Sequence, residues 1–324
     1  MANSSCHIQR TNDTRSNSEA TENPMYSILV INIAFSAFLC YSTTIMNVVT
    51  IYALMKTSML SKPLKTLLFS LAVSDLGVGF LGFPFQIAHL VGQIRCKIPN
   101  GDTNFAFRIN DAVVSTLFMC SLSTIVAISV DRFIAIEMPL RYDTIMTHKR
   151  IIGAIMVIWI VSATFSILCY MFKAVPLFSA FVFLVIIDSV SFLVTTATSC
   201  KIYVTLRRHK KEMENGRHQL QQSAENKVSR SGSGKSSSGT LLIYLFFWVC
   251  YLPHLVISIV REIYAKPNTA IEGMFTFSWT LVFFNSSINP VIFCWKMTPI
   301  RRTILSILRN TFLKESPAWK RIYC

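Results

Sequence analysis

Residues 26–55 read YSILVINIAFSAFLCYSTTIMNVVTIYALM and contain no Asp, Glu, Lys or Arg. A helix needs only about 20 mainly apolar residues to cross the hydrocarbon core of a bilayer. Six further runs of this kind follow, each with at most one acidic residue, at 66–94, 109–130, 151–172, 174–200, 240–260 and 273–295. The sequence therefore predicts seven membrane-spanning helices, named the first to the seventh span in chain order.

The charged residues set the expected orientation of these spans. Only 15% of the 324 residues are charged and 52% are hydrophobic, whereas about a quarter of a typical soluble protein is charged. The net charge of +15 would also fit a nucleic-acid-binding protein, but no pattern of a nucleic-acid-binding fold accompanies it. Of the 31 Lys and Arg residues, 23 follow the first, third, fifth and seventh spans. Because basic loops stay in the cytosol, we expect an extracellular amino terminus and a cytosolic carboxyl terminus.

Polar segments divide the chain. The leader contains two sequons, so we expect glycosylation of Asn3 and Asn12. The segment 208–239 is rich in Ser, Gly, Gln and charge, which predicts a flexible cytosolic loop. After the seventh span, an amphipathic pattern over 298–308 predicts a short helix along the inner leaflet. The expected division is a leader (1–24), a membrane domain (25–297), and an amphipathic helix with a cytosolic tail (298–324).

Short motifs recur in the spans in a fixed order. They are Asn47, Leu71-Ala72-Val73-Ser74-Asp75, Asp131-Arg132-Phe133, Trp159, Pro253 and Asn289-Pro290. This series resembles the rhodopsin-like (class A) G-protein-coupled receptors. The resemblance implies an all-α seven-transmembrane bundle with a short eighth helix, in a plasma-membrane receptor that is not an enzyme. It also implies an extracellular peptide, lipid or small-molecule ligand, a heterotrimeric G protein, arrestin, receptor kinases and membrane lipid as partners.

The resemblance also implies an activation switch. Arg132 can pair with Asp131 or donate to backbone carbonyls of a docked partner, and prolines bend the sixth and seventh spans. The residues assigned to this switch are Asp131, Arg132, Phe133, Pro139, Phe247, Tyr251, Pro253, Asn289, Pro290 and Phe293. Tyr251 stands where the family has tryptophan, and Phe293 replaces a tyrosine whose hydroxyl supports the active state. We therefore expect low basal signalling.

A carboxylate in the middle of a membrane is costly without a partner, so Asp75 needs an explanation. The family's buried sodium site maps onto Asp75, Ser121, Asn285, Ser286 and Asn289. One carboxylate with several neutral oxygens suits a small hard cation. The alternative is a hydrogen-bonded polar core with a protonated Asp75. Apart from this Na⁺, no cofactor is expected.

The outer halves of the spans carry the candidate ligand site. Phe107 replaces the family's third-span cysteine, and the short linker after the fourth span has no cysteine, as in melanocortin receptors. This likeness points to the branch with melanocortin, cannabinoid and adenosine receptors. Cys6, Cys96 and Cys169 are the cysteines expected outside, so three pairings are open, and Cys96 with Cys169 is the candidate bridge. The candidate ligand-binding residues are Phe85, Phe107, Asp111, Val114, Asp188 and Tyr251.

Two ligand classes remain open at this site. A cationic ligand would use Asp111 and Asp188, whereas a lipid or small apolar molecule would use the aromatic side chains.

A seven-span channel or transporter is the alternative function. The sequence shows neither the internal repeats nor the ring of charges typical of such proteins.

Overall fold

The computed structural model describes residues 24–94, 105–172, 246, 248–261, 263–264 and 269–312, with scattered helical residues between 186 and 208. Several predictions concern other parts of the chain. Those outside the described residues are glycosylation at Asn3 and Asn12, the loop 209–239, the tail 313–324, and the roles of Cys96, Asp188 and Phe247.

The described regular structure is entirely helical. The first span is Pro24–Lys56, the second Lys62–Ile94, the third Phe105–Glu137, the fourth His148–Tyr170, the described part of the sixth Trp248–Arg261, the seventh Thr269–Lys296 and the eighth helix Thr298–Phe312. Five of these helices are long and apolar enough to cross a membrane, counting only the described part of the chain. The prediction of an all-α membrane bundle is confirmed.

Most of the observed helices extend a few residues beyond the ends of the charge-free runs that predicted them. The third span was predicted to end at residue 130 but continues to Glu137, and the eighth helix continues from the predicted end at 308 to Phe312. Charged residues end the hydrocarbon-compatible stretch, but they do not end a helix. Between the third and fourth spans, the chain makes only one short helical turn, Tyr142–Ile145.

The core lies between the second, third and seventh spans. Leu67 and Ile125 are fully buried, and Phe293 is 1% exposed. The fourth span lies along the third span with most of its surface exposed, and its Trp159 indole donates to Ser70 Oγ at 3.1 Å. Large apolar side chains on the outer surface, such as Phe38 and Ile160, face the position of the lipid, where their exposure is favourable.

Four polar side chains line one face of the first span and bind the seventh span. The polar seam consists of Asn32, Ser36, Thr43 and Asn47, all fully buried. Thr280 donates to Asn32 at 2.5 Å and lies 3.4 Å from Ser36 Oγ, while Gln86 donates to Thr280 at 2.6 Å. Deeper in the bundle, Thr43 pairs with Ser287, and Asn47 donates to the Ser286 carbonyl at 3.1 Å. Such bonds hold helices together where lipid removes the hydrophobic driving force.

The second span is interrupted by a π-helical turn at Val78–Gly82, which the sequence analysis did not predict. A Cβ on Gly79 would lie 2.8 Å from Thr44 Oγ1 and 3.1 Å from Thr44 N, so only glycine allows this approach to the first span. The turn sets the directions of the following side chains. Phe83 is fully buried, whereas Phe85 is 42% exposed.

Candidate functional site

The carboxyl-terminal end of the third span holds a buried ion pair. Arg132 Nε donates to Asp131 Oδ2 at 2.9 Å, and a second guanidinium nitrogen binds the same oxygen. Asp131 is fully buried and Arg132 is 8% exposed. The structure thus places these two predicted switch residues in direct contact, with the guanidinium turned toward its own helix.

Tyr142 completes this pair from the following loop. Its hydroxyl donates to Asp131 Oδ1 at 2.9 Å and lies 3.3 Å from Ser61 Oγ, the residue that precedes the second span. Burial raises the pKa of Tyr142, and the Asp131 carboxylate acts in the same direction, so the phenol is a donor at neutral pH. Both carboxylate oxygens of Asp131 are therefore occupied. The sequence analysis did not assign Tyr142 this role.

The third and fifth spans also meet at this end. Thr205 donates to Glu137 Oε1 at 2.7 Å, and Lys201 Nζ lies 5.7 Å from the centroid of the Phe133 ring. Beyond the helix, Pro139 is exposed and the neighbouring Leu140 is 98% exposed. A leucine so fully exposed beside a polar switch is suited to contact a partner protein.

The candidate ion site is a buried cluster around Asp75. Asn289 donates to Asp75 Oδ2 at 2.7 Å, Ser121 donates to Oδ1 at 3.5 Å, and Ser286 also binds the carboxylate. The amide oxygens of Asn285 and Asn289 are buried and accept no hydrogen bond from the described residues. Asn285 lies one helical turn before Asn289 and so shares its face. A carboxylate beside amide oxygens that lack donors fits a bound Na⁺.

An aromatic chain crosses the outer half of the bundle above this cluster. Tyr251 stacks on Phe118 at 5.2 Å and lies 6.1 Å from His254; His254 lies 4.3 Å from Trp279, and Trp279 6.1 Å from Phe283. Phe283 in turn meets Phe83 at 5.4 Å. The chain joins the third, sixth, seventh and second spans through contacts between aromatic rings.

His254 is the functional candidate that the sequence analysis missed. It is 6% exposed, and its Nδ1 lies 2.9 Å from Ser278 Oγ. The Ser278 hydroxyl donates to the Phe275 carbonyl at 2.6 Å, so His254 Nδ1 must carry the proton in this pair. Nε2 is then an acceptor, and the imidazole ring lies next to the rings of Tyr251, Phe275 and Trp279. The available signal was a histidine next to Pro253 in an otherwise uncharged run.

The predicted outer-site residues are only partly assembled. Val114 is 6% exposed, whereas Asp111 is exposed and interacts with the Tyr170 phenol. The Phe107 side chain and Asp188 lie outside the described residues. Nothing in the described part therefore brings Asp111 and Asp188 together, and their joint role stays a prediction.

Arg108, near the beginning of the third span, joins it to the end of the fourth span. Its Nε donates to the Tyr170 carbonyl at 2.8 Å, and a second guanidinium nitrogen donates to the Met171 carbonyl. These carbonyls end the fourth span, where a helix lacks internal partners and favours a cation. Cys169 is buried, and its thiol is not bonded to any described cysteine; its pairing with Cys96 stays a prediction.

Comparison with known proteins identifies the class of this bundle. The model of the 7 transmembrane receptor (rhodopsin family) matches residues 46–179 and 173–293. The adenosine receptors A2a of Canis lupus familiaris and Homo sapiens are 25% and 24% identical over 309 residues, covering 85% of this chain and 71% of theirs. The adenosine receptor A2b of Gallus gallus is 32% identical over 139 residues, covering 42% of this chain and 34% of its own.

These relatives confirm the class A prediction and the adenosine-type part of the predicted branch, and the channel or transporter alternative finds no support among them. The apolar helices make the protein a multi-pass membrane protein. The chain belongs to the rhodopsin family of seven-transmembrane receptors, which bind a ligand and signal through G proteins.

Proposed function

We propose that the chain is a plasma-membrane receptor with an extracellular amino terminus, in which ligand binding releases Arg132 to a heterotrimeric G protein. The observation that carries this proposal is the closed arrangement of Asp131. Arg132 holds one of its oxygens and Tyr142 holds the other. The arrangement is a resting state. When it opens, a docked partner supplies carbonyl acceptors for the guanidinium, and the Tyr142 hydroxyl remains as a donor to the Asp131 carboxylate.

The G protein contacts the same end of the bundle. Leu140 is the apolar contact, and the Thr205 to Glu137 bond is broken when the fifth span moves aside. Receptor kinases and arrestin act on the cytosolic loop and tail. The eighth helix lies along the inner leaflet.

The ligand is a small planar molecule that carries N–H donors. The aromatic chain offers ring faces, and His254 Nε2 offers an acceptor next to Trp279. Adenosine, the ligand in the names of the relatives, has both features and is the first compound to test. A cationic ligand at Asp111 and Asp188 is the competing prediction, because an ammonium group also supplies N–H donors.

Na⁺ bound at Asp75 supports the resting state. Asp75, Ser121, Asn285, Ser286 and Asn289 would hold the ion through oxygen atoms, and the ion would neutralise the buried carboxylate. The two buried amide oxygens without donors support this assignment. Asn285 and Asn289 lie on the seventh span beside Pro290, so a cation there restrains the bend at that proline.

A cell-based assay tests the proposal. Cells that express the receptor are exposed to adenosine, basic peptides and lysolipids while cAMP, calcium and arrestin recruitment are recorded. We expect His254→Leu to lower the potency of a nucleoside by at least about tenfold, since a buried acceptor is lost. Leu252→Ala on the lipid-facing side of the same helix is the matched control.

Two further sets of variants separate the outcomes. Asp111→Asn and Asp188→Asn should leave a nucleoside response unchanged; a large loss in both variants would instead favour the cationic ligand. Arg132→Ala should abolish G-protein signalling by any agonist, while Arg141→Ala in the neighbouring loop should not. Signalling that survives Arg132→Ala would contradict the proposed switch.

A further inference from the structure

The π-helical turn of the second span leaves one backbone carbonyl without a partner in its own helix. The Phe83 N–H bonds to the Val78 carbonyl, five residues back, so it is not available to the Gly79 carbonyl. In the same wide spacing, the donor to Gly79 would be Pro84, which has no N–H group. The Gly79 carbonyl therefore lacks a backbone donor at both the α-helical and the π-helical spacing.

The surroundings of this carbonyl make an unpaired oxygen costly. Gly79 is buried and lies one helical turn beyond Asp75, in the membrane-spanning part of the second span. Inside a bilayer, water does not take the place of a missing hydrogen-bond partner, so each unsatisfied backbone group lowers stability. A donor from a neighbouring helix is therefore required.

Cys40 of the first span supplies this donor. Its thiol donates to the Gly79 carbonyl at 3.3 Å. The first span comes this close because Gly79 has no side chain, and Thr44 Oγ1 donates to the Cys40 carbonyl at 2.8 Å on the same stretch of helix. A thiol is a weak donor, but here it serves an acceptor that its own helix leaves unpaired.

The residues that follow the turn make the contacts of the outer half of the second span. Phe83 meets Phe283 at a ring distance of 5.4 Å, and Gln86 donates to Thr280 at 2.6 Å. Phe85, a candidate ligand-binding residue, lies on the same stretch. Both contacts join the second span to the seventh, so they depend on the geometry that the turn imposes.

We propose that Cys40 is a positioning residue of the receptor. Its thiol completes the hydrogen bonding of the π-helical turn and thereby holds the outer half of the second span against the seventh. Serine would offer a stronger donor at this position and alanine would offer none. The consequence for a ligand at Phe85 rests on the proposed function, whereas the geometry does not.

The first test follows thermal unfolding of the full-length receptor in detergent by fluorescence-detected size-exclusion chromatography. Cys40→Ala should lower the midpoint by about 4 °C because a buried carbonyl loses its donor, and Cys40→Ser should return it to within about 1 °C of the wild type. Cys294→Ala removes a thiol of similar exposure from the seventh span and should shift the midpoint by less than about 1 °C.

A double-mutant cycle connects this loss to the missing N–H group. Pro84→Ala gives residue 84 a backbone donor, so the Gly79 carbonyl no longer depends on the thiol. In the Pro84→Ala background, Cys40→Ala should therefore lower the midpoint by less than about 1 °C.

The second test measures the position of the outer half directly. The pair Gln86→Cys/Thr280→Cys is oxidised in the folded receptor, and the disulfide-linked peptide is quantified by mass spectrometry. Its yield should fall about threefold when Cys40→Ala is added and recover with Cys40→Ser. The pair Thr43→Cys/Ser287→Cys joins the first and seventh spans and should cross-link equally in all three backgrounds. A loss of overall stability alone would lower both yields.

Two results would overturn the proposal: an equal midpoint shift by Cys40→Ala with and without Pro84→Ala, or an unchanged cross-link between positions 86 and 280 in Cys40→Ala. If Cys40→Ala does not fold by itself, its recovery by Pro84→Ala decides, because recovery is expected only when the missing donor is the cause. Neither test uses a ligand or a G protein, so failure here and failure of the receptor proposal are distinguishable.

Discussion

Replacing Tyr142 by Phe removes one hydroxyl from the switch and leaves the ring in place. The lost bond is a 2.9 Å hydrogen bond to the buried Asp131 carboxylate, with a weaker 3.3 Å contact to Ser61. A hydrogen bond to a charged group contributes about 1.5–3 kcal/mol. Because Tyr142 is only half-buried, we take a value near the lower end, about 1.5 kcal/mol.

This energy acts on the balance between resting and active receptor. If the bond exists only in the resting state, its loss raises the ratio of active to resting receptor by about tenfold. Basal nucleotide exchange on the G protein, measured in membranes without ligand at equal receptor levels, should rise by a similar factor while the active fraction is small. Ser61→Ala should give a smaller rise because it removes only the longer contact.

The control is Tyr52→Phe, which removes a hydroxyl from an exposed tyrosine near the carboxyl-terminal end of the first span. An unchanged or lower basal rate in Tyr142→Phe would refute the reasoning, since Tyr142 would then not favour the resting state.

The raised pKa of Tyr142 predicts how this effect depends on pH. A raised pKa means that the contribution of the phenol is fully present below its ordinary pKa of about 10 and is lost only as pH rises above it. The effect of Tyr142→Phe should therefore be constant between about pH 6 and pH 9.

Three other perturbations test other parts of the bundle. Arg108→Gln should lower the midpoint of thermal inactivation in detergent by about 5 °C, because charged hydrogen bonds to the end of the fourth span worth about 2 kcal/mol are lost. The midpoint of Arg108→Lys should lie between those of the wild type and Arg108→Gln. Equal midpoints in all three proteins would show that Arg108 does not stabilise the contact between the two spans. Asp75→Asn should abolish any difference in agonist affinity between Na⁺ and a bulky organic cation, and radioligand competition that shows no such difference in the wild type would exclude the ion. Phe293→Tyr should raise basal nucleotide exchange by restoring a hydroxyl, and an unchanged rate would mean that this position does not limit basal activity.

The spans were predictable because the absence of charge over about 20 residues is a local property of the sequence. Their ends were not, since residues such as Asp131 and Arg132 neutralise each other within the helix and let it continue. The interpretation of Asp75 came from resemblance to a family. Its contact with Asn289 joins residues 214 positions apart, and no local pattern indicates such a pair.

The missed features are single residues whose surroundings decide their role. His254 looks like a core side chain in the sequence, and only its bond to Ser278 and its place beside Trp279 indicate an acceptor. Tyr142 lies in a loop, so its contact with Asp131 depends on the turn after Pro139. Arg108 binds backbone carbonyls, which carry no sequence signature.

Because of the π-helical turn at Val78–Gly82, the position of a side chain around the second span cannot be obtained by counting residues at a regular helical spacing. A π-turn holds one more residue than the α-helical turn it replaces, so every position beyond it is rotated by about 100° relative to a count that starts at Asp75. An alignment to a receptor with a regular second span would match each outer residue with the neighbour of its true counterpart. Deleting one residue from the turn would test this: it should carry Gln86 away from Thr280 and move Phe83 toward the lipid, while every other residue of the helix is kept.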